Sequence, residues 1–399
     1  MSLFSAVPLA PRDPILGLTE AFRADTNPNK VNLGVGVYQD ATGTLPLLEC
    51  VRRAEQRLAA DPKPRGYLPI DGLPGYTKAV RELVFGADSP AVAAGRVVTV
   101  QALGGTGALK IGADFLRRFA PDAKVLISDP SWENHEALFT RAGFEVGTYR
   151  YYDAEAKAVD VEGMLADLAA APAGTIVVLH ACCHNPTGYD LTDKQWGRVI
   201  ETVTTAGLIP FLDMAYQGFS ESLEADGAVV RRFAETGLPV LVSTSFSKSL
   251  SLYGERVGAL SVVCADAEEA SRMLSQDKIV IRTNFSNPPT HGAQLATMVL
   301  TDPELRALWV TELGEMRDRI KSMRRQLVDG LEAAGIHDMG FIATQVGMFS
   351  YSGLTTEQMI ALREQHGVYG TDRGRICVAA LNEGNLGHVC RAIAAVRGA

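Results

Sequence analysis

The sequence predicts an α/β fold built around a mainly parallel sheet. Between about Arg96 and Cys264, short apolar runs bounded by turn residues alternate with longer helical patterns. This alternation is typical of βαβ units, in which a helix connects two parallel strands. Polar segments follow several of the apolar runs directly, and open α/β sheets bind ligands beyond the carboxyl ends of their strands. The sequence therefore predicts one ligand site at that edge of the sheet.

The candidate strands are short apolar runs that end at turn residues. They are 97–100, 125–128, 175–180, 209–213, 240–244 and 259–264. Helical patterns cover 106–118 and 192–205. A further long, charged helix is predicted to begin after Asp302 as N-cap, with Pro303 at the first helical position, and to end near Gly335. It is expected to link a large domain to a smaller carboxyl-terminal one.

Composition limits the function classes. The chain of 399 residues has 38 basic and 46 acidic residues and a net charge of -8, which disfavours nucleic acid as a partner. Prolines interrupt the amino terminus, and no apolar run approaches the ~18 residues of a membrane span. We therefore expect no membrane partner and a cytoplasmic protein. Its six cysteines are sparse and are expected to be reduced.

Lys248 is the candidate nucleophile. It lies in SFSKSLSLYGERVG, among small hydroxyl residues directly after an apolar strand. Partial desolvation there lowers the pKa of an amine and favours Schiff-base chemistry. Taken alone, a lysine in a loop is more often an ordinary surface residue, so the prediction depends on its neighbours.

An anion site is predicted beside this lysine. Ser245 lies three residues before it and Arg256 eight residues after it, so a hydroxyl and a guanidinium could bind one phosphate. Gly105 and Thr106 belong to a GGT segment that follows a strand and opens a helix, where backbone N–H groups bind anions. A GGT segment alone is a weak signal that fits a simple tight turn equally well.

Two polar residues follow the strand IPFL. Asp213 at its carboxyl end needs a cationic or hydrogen-bonded partner to stay ionised, and a protonated pyridine nitrogen would be one. An N-cap or a salt bridge is the alternative for this aspartate. Tyr216 could donate to a phenolic oxygen on the same ring, or simply pack in the core.

Further candidates bind a ring or a carboxylate. Trp132 and His135, in SDPSWENH, could place an indole on a flat ring with an imidazole behind it, although both could equally be core residues. Arg282 and Arg375 are candidate carboxylate ligands, because the guanidinium fork matches a planar carboxylate. Most arginines, however, are solvated surface residues.

The segment HACCH, residues 180–184, superficially resembles a metal site. Soft-metal motifs usually separate their cysteines by two residues or more, so that both thiolates reach the ion. We therefore favour a buried strand that enters the Asn185-Pro186 turn, and we predict no metal.

Eight segments occur in an order that resembles the class I aspartate and aromatic-amino-acid aminotransferases. They are YLPIDGLPGY, GGTGAL, SDPSWENH, HNPTG, FLDMAYQGF, SFSKSLSLYGERVG, NFSNPPTHG and GRICVA. The resemblance begins with APRDPILGL and LGVGVY and runs nearly end to end. Any one segment is weak evidence, but the ordered series is highly specific.

The resemblance implies a fold-type I pyridoxal-phosphate (PLP) enzyme. Its large domain would carry a mainly parallel sheet flanked by helices, and its smaller domain would also be α/β. We assign 1–14 to an extended amino-terminal arm, 46–309 to the large PLP-binding domain, and 15–45 with 310–399 to the small domain. A homodimer with shared active sites is implied.

The resemblance also implies roles for matching residues. Lys248 would bind PLP as a Schiff base and move protons, while Asp213 would contact the pyridine nitrogen, with His135 behind it. The phenolic oxygen would be bound by Asn185 and Tyr216, and Trp132 would stack on the ring. The phosphate would be bound by residues spread along the chain: Gly105, Thr106, Ser245, Arg256 and, from the neighbouring subunit, Tyr67.

The implied substrates are amino acids and 2-oxo acids. Arg375, with Gly36 beside it, would bind the α-carboxylate, and Arg282 of the other subunit the distal carboxylate. Several segments look closer to the aromatic branch, whereas Val37, Thr106 and Asn287 match the aspartate branch. We therefore predict transfer of the amino group of tyrosine or phenylalanine, and also of aspartate, to 2-oxoglutarate.

Four other functions remain as alternatives. The first is a dedicated aspartate aminotransferase, and the second is a β-lyase or decarboxylase that uses the same cofactor. The third is a nucleotide-binding oxidoreductase, but the spacing at Gly104 and Gly107 lacks the dinucleotide fingerprint. The fourth is a catalytically silent binding protein. The resemblance has one departure, Asp372-Arg373 immediately before Arg375, where relatives usually carry small residues.

Overall fold

The computed structural model describes residues 2–10 and 15–398. These residues divide into two compact units. The sheet unit comprises residues 45–321 with 344–347, and the terminal unit comprises the described residues up to Thr44 together with 322–343 and those from Met348 onward. The predicted domain boundaries differ from these bounds by several residues and remain a prediction.

The helices and strands follow in chain order. The strands are β1 (Val31–Asn32), β2 (Val97–Leu103), β3 (Val125–Asp129), β4 (Val146–Arg150), β5 (Tyr152–Asp153), β6 (Ala158–Val159), β7 (Ile176–His180), β8 (Ile209–Met214), β9 (Val240–Ser245), β10 (Val257–Val263), β11 (Phe349–Tyr351), β12 (Val368–Tyr369) and β13 (Arg375–Cys377). The α-helices are α1 (Leu16–Ala24), α2 (Glu49–Ala60), α3 (Pro74–Phe85), α4 (Pro90–Ala93), α5 (Gly104–Phe119), α6 (Glu133–Arg141), α7 (Val161–Ala170), α8 (Asp193–Thr205), α9 (Leu223–Asp226), α10 (Ala228–Ala234), α11 (Ala267–Asn284), α12 (His291–Thr301), α13 (Pro303–Ala333), α14 (Thr356–His366) and α15 (Glu383–Arg397).

The sheet unit is built on seven strands in the order β2-β10-β9-β8-β7-β3-β4. The five strands from β9 to β4 run parallel, and β10 runs antiparallel to both β9 and β2. The prediction of an α/β fold with a mainly parallel sheet is confirmed. All six predicted strands are present. The sequence analysis did not predict the edge strand β4 or the antiparallel direction of β10.

The core of the sheet unit lies between the sheet and its helices. Strands β7, β9 and β10 are buried along their whole length, as expected for a sheet covered on both faces. Phe211 of β8 and Leu109 of α5 are fully buried in this core. Packing on both faces therefore leaves only the strand ends and the turns after them available for binding.

Local signals fix where several helices begin. Thr192 caps α8 in a capping box with Gln195, in agreement with the predicted helix at 192–205. The carboxylate of Asp302 accepts the N–H of Leu305 at 3.0 Å, and Pro303 is the first residue of α13. The predicted start of the long helix is thus confirmed.

The terminal unit contains two small sheets. Strands β1 and β12 pair in parallel, and β11 pairs antiparallel with β13. Its helices are α1, the part of α13 from Ser322, α14 and α15. Residues 2–10 of the predicted arm are exposed and contain no helix or strand, while the other residues of that prediction, 1 and 11–14, lie outside the described residues.

Two further observations concern the whole described chain. No helix among residues 2–10 and 15–398 has the length and apolar character needed to span a membrane. All six cysteines are buried and free.

Candidate active site

The carboxyl end of β8 carries Asp213 in the middle of the sheet. Its neighbours in register are His180 on β7 and Ser243 on β9. The side chain is buried, and the Nε2 of His135 lies 2.9 Å from Oδ2 of the carboxylate, where it donates a hydrogen bond. This is the predicted arrangement of an imidazole beside Asp213.

Two opposing effects act on the charge of Asp213. Burial raises the pKa of the carboxyl. The hydrogen bond that His135 donates, the adjacent imidazoles of His135 and His180, and the Lys248 amine act in the other direction and prevail, so the pKa lies below its usual value. Asp213 is therefore a buried carboxylate that stays ionised at neutral pH.

His135 is held from its other side. The hydroxyl of Ser131 lies 3.0 Å from Nδ1, so in the tautomer that donates from Nε2 to Asp213, Nδ1 accepts from this hydroxyl. Trp132 is the residue directly before α6, and its indole meets the imidazole edge to face at 5.3 Å between centroids. The sequence analysis missed Ser131, whose only signal is its position four residues before His135.

A second imidazole lies beside this pair. The ring centroid of His180 is 5.0 Å from that of His135 and 4.3 Å from that of His184. Burial, reinforced by His135, lowers the pKa of His180 to about 3, so this imidazole is neutral. Among the described residues neither ring nitrogen of His180 has a hydrogen-bond partner.

The residues of HACCH separate in space. The ligating atoms of His180 cluster with those of His135 and Asp213, whereas Cys182 and Cys183 cluster with Asp226. Within the part of the chain that the structure describes, the segment therefore does not form one four-ligand site. The prediction of no metal stays a prediction.

Lys248 lies in the turn that follows β9. Its Nζ is 4.8 Å from the centroid of the Tyr216 ring, and Tyr216 itself is buried. The amine also contributes to the lowered pKa of Asp213. Three residues predicted for one site, Lys248, Asp213 and Tyr216, are thus neighbours in the sheet unit.

The residues predicted to form an anion cradle lie together at the start of α5. Gly104 adopts a φ of 68°, and its N–H donates to the carbonyl oxygen of Arg256 at 3.0 Å. A Cβ on Gly104 would lie 2.5 Å from Nη2 of Arg256, so only glycine allows the guanidinium to approach the helix. A Cβ on Gly105 would lie 3.3 Å from that of Ser245. The glycines, Ser245 and Arg256 therefore meet at one helix N-terminus, where Thr106 follows.

The guanidinium of Arg256 is held by its own loop. Nη1 donates to Oγ of Ser247 at 3.3 Å and to the carbonyl oxygen of Tyr253 at 3.0 Å. No ion pair to Arg256 forms among the described residues, so its charge is not neutralised there. The sequence analysis did not include Ser247, although it is the residue before Lys248.

The other predicted ligands of the sheet unit lie at different places. Asn185 is buried in the loop after β7. Tyr67 is 97% exposed and has no hydrogen bond or ring contact with any described residue. Arg282 is exposed at the end of α11, and its Nη1 donates to the neutral hydroxyl of Ser286. Tyr67 and Arg282 are thus on the surface, away from the buried Asp213.

In the terminal unit, Arg375 is the first residue of β13 and is almost fully buried. Its Nη2 donates to the carbonyl oxygen of Gly34 at 2.8 Å, and its guanidinium carbon lies 4.4 Å from the centroid of the Phe349 ring. A Cβ on Gly36 would lie 2.5 Å from Cζ of Phe349, so the glycine leaves room for this ring. Phe349 was not among the predicted site residues.

The departure at Asp372-Arg373 forms the tip of a turn. The carboxylate of Asp372 accepts from Nη1 of Arg363 at 2.6 Å, and Arg373 is exposed. Gly374 takes the positive φ of 89° that closes the turn, and Arg375 is buried after it. The added charges are therefore at the surface of the terminal unit, and the side chain of Arg375 is not exposed with them.

Comparisons with known proteins show the family of the chain. Residues 28–393 match the model of the family described as aminotransferase class I and II. An aspartate aminotransferase of Pseudomonas aeruginosa is 59% identical over 99% of this chain and 100% of its own, and an aromatic-amino-acid aminotransferase of Escherichia coli is 50% identical over 99% and 100%. A crystal structure of an aromatic-amino-acid aminotransferase from Burkholderia pseudomallei, covalently bound to pyridoxal phosphate, is 65% identical, covers 99% of this chain and 100% of its own, and superposes with a TM-score of 0.97. The chain belongs to the class I and II aminotransferase family.

Proposed function

We propose that the protein is a PLP-dependent aminotransferase that transfers the amino group of tyrosine or phenylalanine, and also of aspartate, to 2-oxoglutarate. The observation that carries this proposal is the buried, ionised Asp213, hydrogen-bonded by His135 and adjacent to Lys248. A carboxylate kept charged away from water is suited to bind a protonated pyridine nitrogen. We therefore propose that Asp213 pairs with a protonated ring that lies next to the amine of Lys248.

The residues present fit PLP. The α5 N-terminus, Ser245 and the unneutralised Arg256 suit a phosphate dianion, and a side chain at Gly104 would fill the space that this cradle needs. The indole of Trp132 and the buried Asn185 and Tyr216 suit the face and the phenolic oxygen of the ring. Lys248 provides the amine for covalent attachment.

The chain's own residues can perform the proton transfers. When bound, PLP supplies a conjugated ring that takes up the electron pair released at the substrate's Cα. The Asp213 carboxylate holds the proton on the ring nitrogen, and His135, with Ser131 behind it, keeps this carboxylate in place. Once the substrate's amine has displaced it from the cofactor, the amine of Lys248 would take the proton from the substrate's Cα as a general base and deliver it, as a general acid, to the cofactor carbon that had held the lysine.

Substrate recognition is proposed for the arginines. Arg375, stacked on Phe349 and lying beside Gly36, binds the α-carboxylate. Arg282 binds the distal carboxylate of aspartate, glutamate or 2-oxoglutarate. Its exposed position and its neutral partner Ser286 support this role, because no carboxylate of the described residues holds the guanidinium. The relatives named for aspartate and for aromatic amino acids support the mixed specificity.

We propose further that the enzyme is a cytoplasmic homodimer with shared active sites. Tyr67 and Arg282 would then serve the site of the partner subunit, and their exposure on the single chain supports this arrangement. Six free, buried cysteines suit a reducing compartment.

The activity is tested with purified protein, tyrosine and 2-oxoglutarate. We expect formation of glutamate and 4-hydroxyphenylpyruvate and a yellow protein that loses its colour on Lys248→Ala. Release of ammonia or carbon dioxide without glutamate would show a β-lyase or decarboxylase instead. Turnover that is unchanged in Lys248→Ala would contradict the assigned nucleophile.

The role of Arg282 is tested by Arg282→Ala. Loss of a charged hydrogen-bonded pair with the distal carboxylate costs about 1.5 to 3 kcal/mol, so kcat/KM for aspartate is expected to fall about 10- to 100-fold while that for phenylalanine changes little. Arg272→Ala is the matched control, because Arg272 lies on the same helix and pairs with Glu268. Equal losses for both substrates would contradict the role of Arg282.

A dedicated aspartate aminotransferase is the second candidate, favoured by the 59% identity to the Pseudomonas aeruginosa protein. The two candidates differ in one measurement, the ratio of kcat/KM for tyrosine to that for aspartate. A ratio far below one would favour the dedicated enzyme.

A further inference from the structure

Three hydrogen bonds lie within the turn that carries Lys248. The N–H of Leu250 donates to the carbonyl oxygen of Phe246 at 3.2 Å, and the N–H of Ser251 donates to that of Lys248 at 3.1 Å. The N–H of Ser247 donates to the hydroxyl of Ser245 at 3.3 Å. The ends of the turn are also tied to other segments, because the N–H of Phe246 donates to the carbonyl oxygen of Val257 at 3.0 Å and the hydroxyl of Ser251 donates to that of Pro46 at 2.9 Å.

The carbonyl oxygen of Ser249 has a different kind of partner. It accepts the indole N–H of Trp309, a residue of α13, at 2.6 Å. Trp309 is fully buried and Ser249 is nearly so. The bond therefore joins the carbonyl of the residue directly after Lys248 to α13, through a tryptophan 60 residues further along the chain.

Little free space surrounds this bond. Trp309 and Ser249 line a cavity of about 10 Å³ together with Met214, Gln217 and Phe246. This volume is at the lower limit for a single water molecule. Because indole has one N–H and a rigid ring, its packing fixes both the direction of the bond and the position of the carbonyl.

We propose that Trp309 is a positioning residue for Lys248: its indole N–H fixes the carbonyl of the next residue, Ser249, and so holds Nζ beside Tyr216 and Asp213. The inference rests on the proposed function. A small displacement of an amine that moves a proton at the substrate's Cα lowers the rate of that step strongly, whereas binding of the substrate carboxylates by arginines elsewhere is retained.

The sharpest test removes only the N–H. Trp309→3-benzothienylalanine replaces the indole N–H by sulfur in a ring of nearly the same shape, and Trp309→Phe is the simpler variant. Trp196→Phe is the matched control: Trp196 is also buried in the sheet unit, where it packs edge to face on Phe233. The holoenzymes are compared in kcat, KM and the pH midpoint of the cofactor's visible absorbance change, which reports protonation at the Lys248 nitrogen.

For both Trp309 variants we expect a kcat about tenfold lower, KM values within about twofold, and a shifted absorbance midpoint, with none of these changes in Trp196→Phe. Unchanged kcat and midpoint in the folded benzothienylalanine variant would overturn the inference, as would equal losses in Trp196→Phe. If Trp309→Phe does not fold, the benzothienylalanine variant decides. A wild-type protein without absorbance or transamination would overturn the proposed function as well, whereas active wild type with unaffected variants overturns this inference alone.

Discussion

Two aspartates of the sheet unit are buried in opposite electrostatic surroundings. Asp213, at the end of β8, accepts a hydrogen bond from His135, and its pKa lies below the usual value. Asp277, in the middle of α11, is fully buried, neither of its oxygens has a hydrogen-bond partner among the described residues, and burial raises its pKa to about 8. Burial alone therefore does not decide whether a carboxyl group is charged, because its hydrogen-bond partners and the charges near it also act on its pKa.

The two aspartates are therefore expected to have different roles, one in catalysis and one in the stability of the fold. A buried carboxylate with partners is available to bind a cation, whereas a buried carboxyl without partners stays protonated at neutral pH. Asp277 lies between Met273 and Ile281 on the buried face of α11, at a spacing of four residues from each. We therefore expect substitution of Asp213 to affect catalysis and substitution of Asp277 to affect folding.

The largest effect is expected for Asp213→Asn. The amide keeps the shape but loses the charge that holds the proton on the ring nitrogen, so single-turnover transamination of aspartate is expected to slow about 1000-fold or more. Asp277→Asn is the matched control, with a rate within about twofold of wild type. A similar rate loss in both variants would contradict the claim that Asp213 acts in catalysis and Asp277 does not.

The next effect is on stability and depends on pH. The folded pKa of Asp277, about 8, lies above its ordinary value of 3.8, so the unfolded chain ionises first as the pH rises. The folded state is penalised progressively between about pH 4 and pH 8, and a shift of this size corresponds to roughly 6 kcal/mol at most.

Asp277→Asn removes this penalty. The variant is expected to gain free energy of unfolding relative to wild type, little at pH 4 and most at pH 8 or above, as measured by urea denaturation. A gain that is independent of pH would show that Asp277 is ionised or hydrogen-bonded in the folded protein. Asp226→Asn is a useful comparison, because that carboxylate accepts three backbone N–H groups and its removal is expected to destabilise the protein.

A smaller effect is expected for His135→Asn. Loss of the imidazole removes the hydrogen bond that lowers the pKa of Asp213, so the pKa rises toward and beyond its ordinary value and the acid limb of the kcat profile moves to higher pH. The lowered pKa of Asp213 also affects folding. It stabilises the native state above about pH 4, and this contribution to the free energy of unfolding is lost as the pH falls. We expect kcat to fall about tenfold at neutral pH.

Ser131→Ala provides the control for this prediction. It removes only the hydroxyl beside Nδ1 of His135, so a shift in the same direction but of smaller size is expected. An acid limb that does not move in His135→Asn would mean that the imidazole does not control the charge of Asp213.

Much of the fold and of the candidate site was predictable because the signals are local. Apolar runs followed by turn residues predicted the six strands, and a capping aspartate with a proline predicted the start of α13. The strand β4 was missed because it lies at the edge of the sheet, where Gly147 and the exposed Thr148 break the apolar pattern. The direction of β10 was also missed, since strand direction depends on how the chain returns to the sheet.

Contacts that form only on folding account for what the sequence analysis did not find. Ser131 gains its position from a helix turn, Ser247 from the guanidinium of Arg256, and Phe349 from a neighbouring strand. None has a sequence pattern of its own. Asp277 is the clearest case, because a charged residue within SQDK predicts a surface position and only the packing of α11 buries it.

The sequence by itself determined the fold class, the positions of most strands and the set of chemical groups that meet at their ends, because the periodicity of apolar residues and the turns after strands are encoded locally. The tertiary structure alone decided the charge of each carboxyl. Asp213 has an imidazole at 2.9 Å, and Asp277 has no hydrogen-bond partner among residues 2–10 and 15–398. A pKa is set by the burial and partners that folding brings to a group, and these come from segments far apart in the chain.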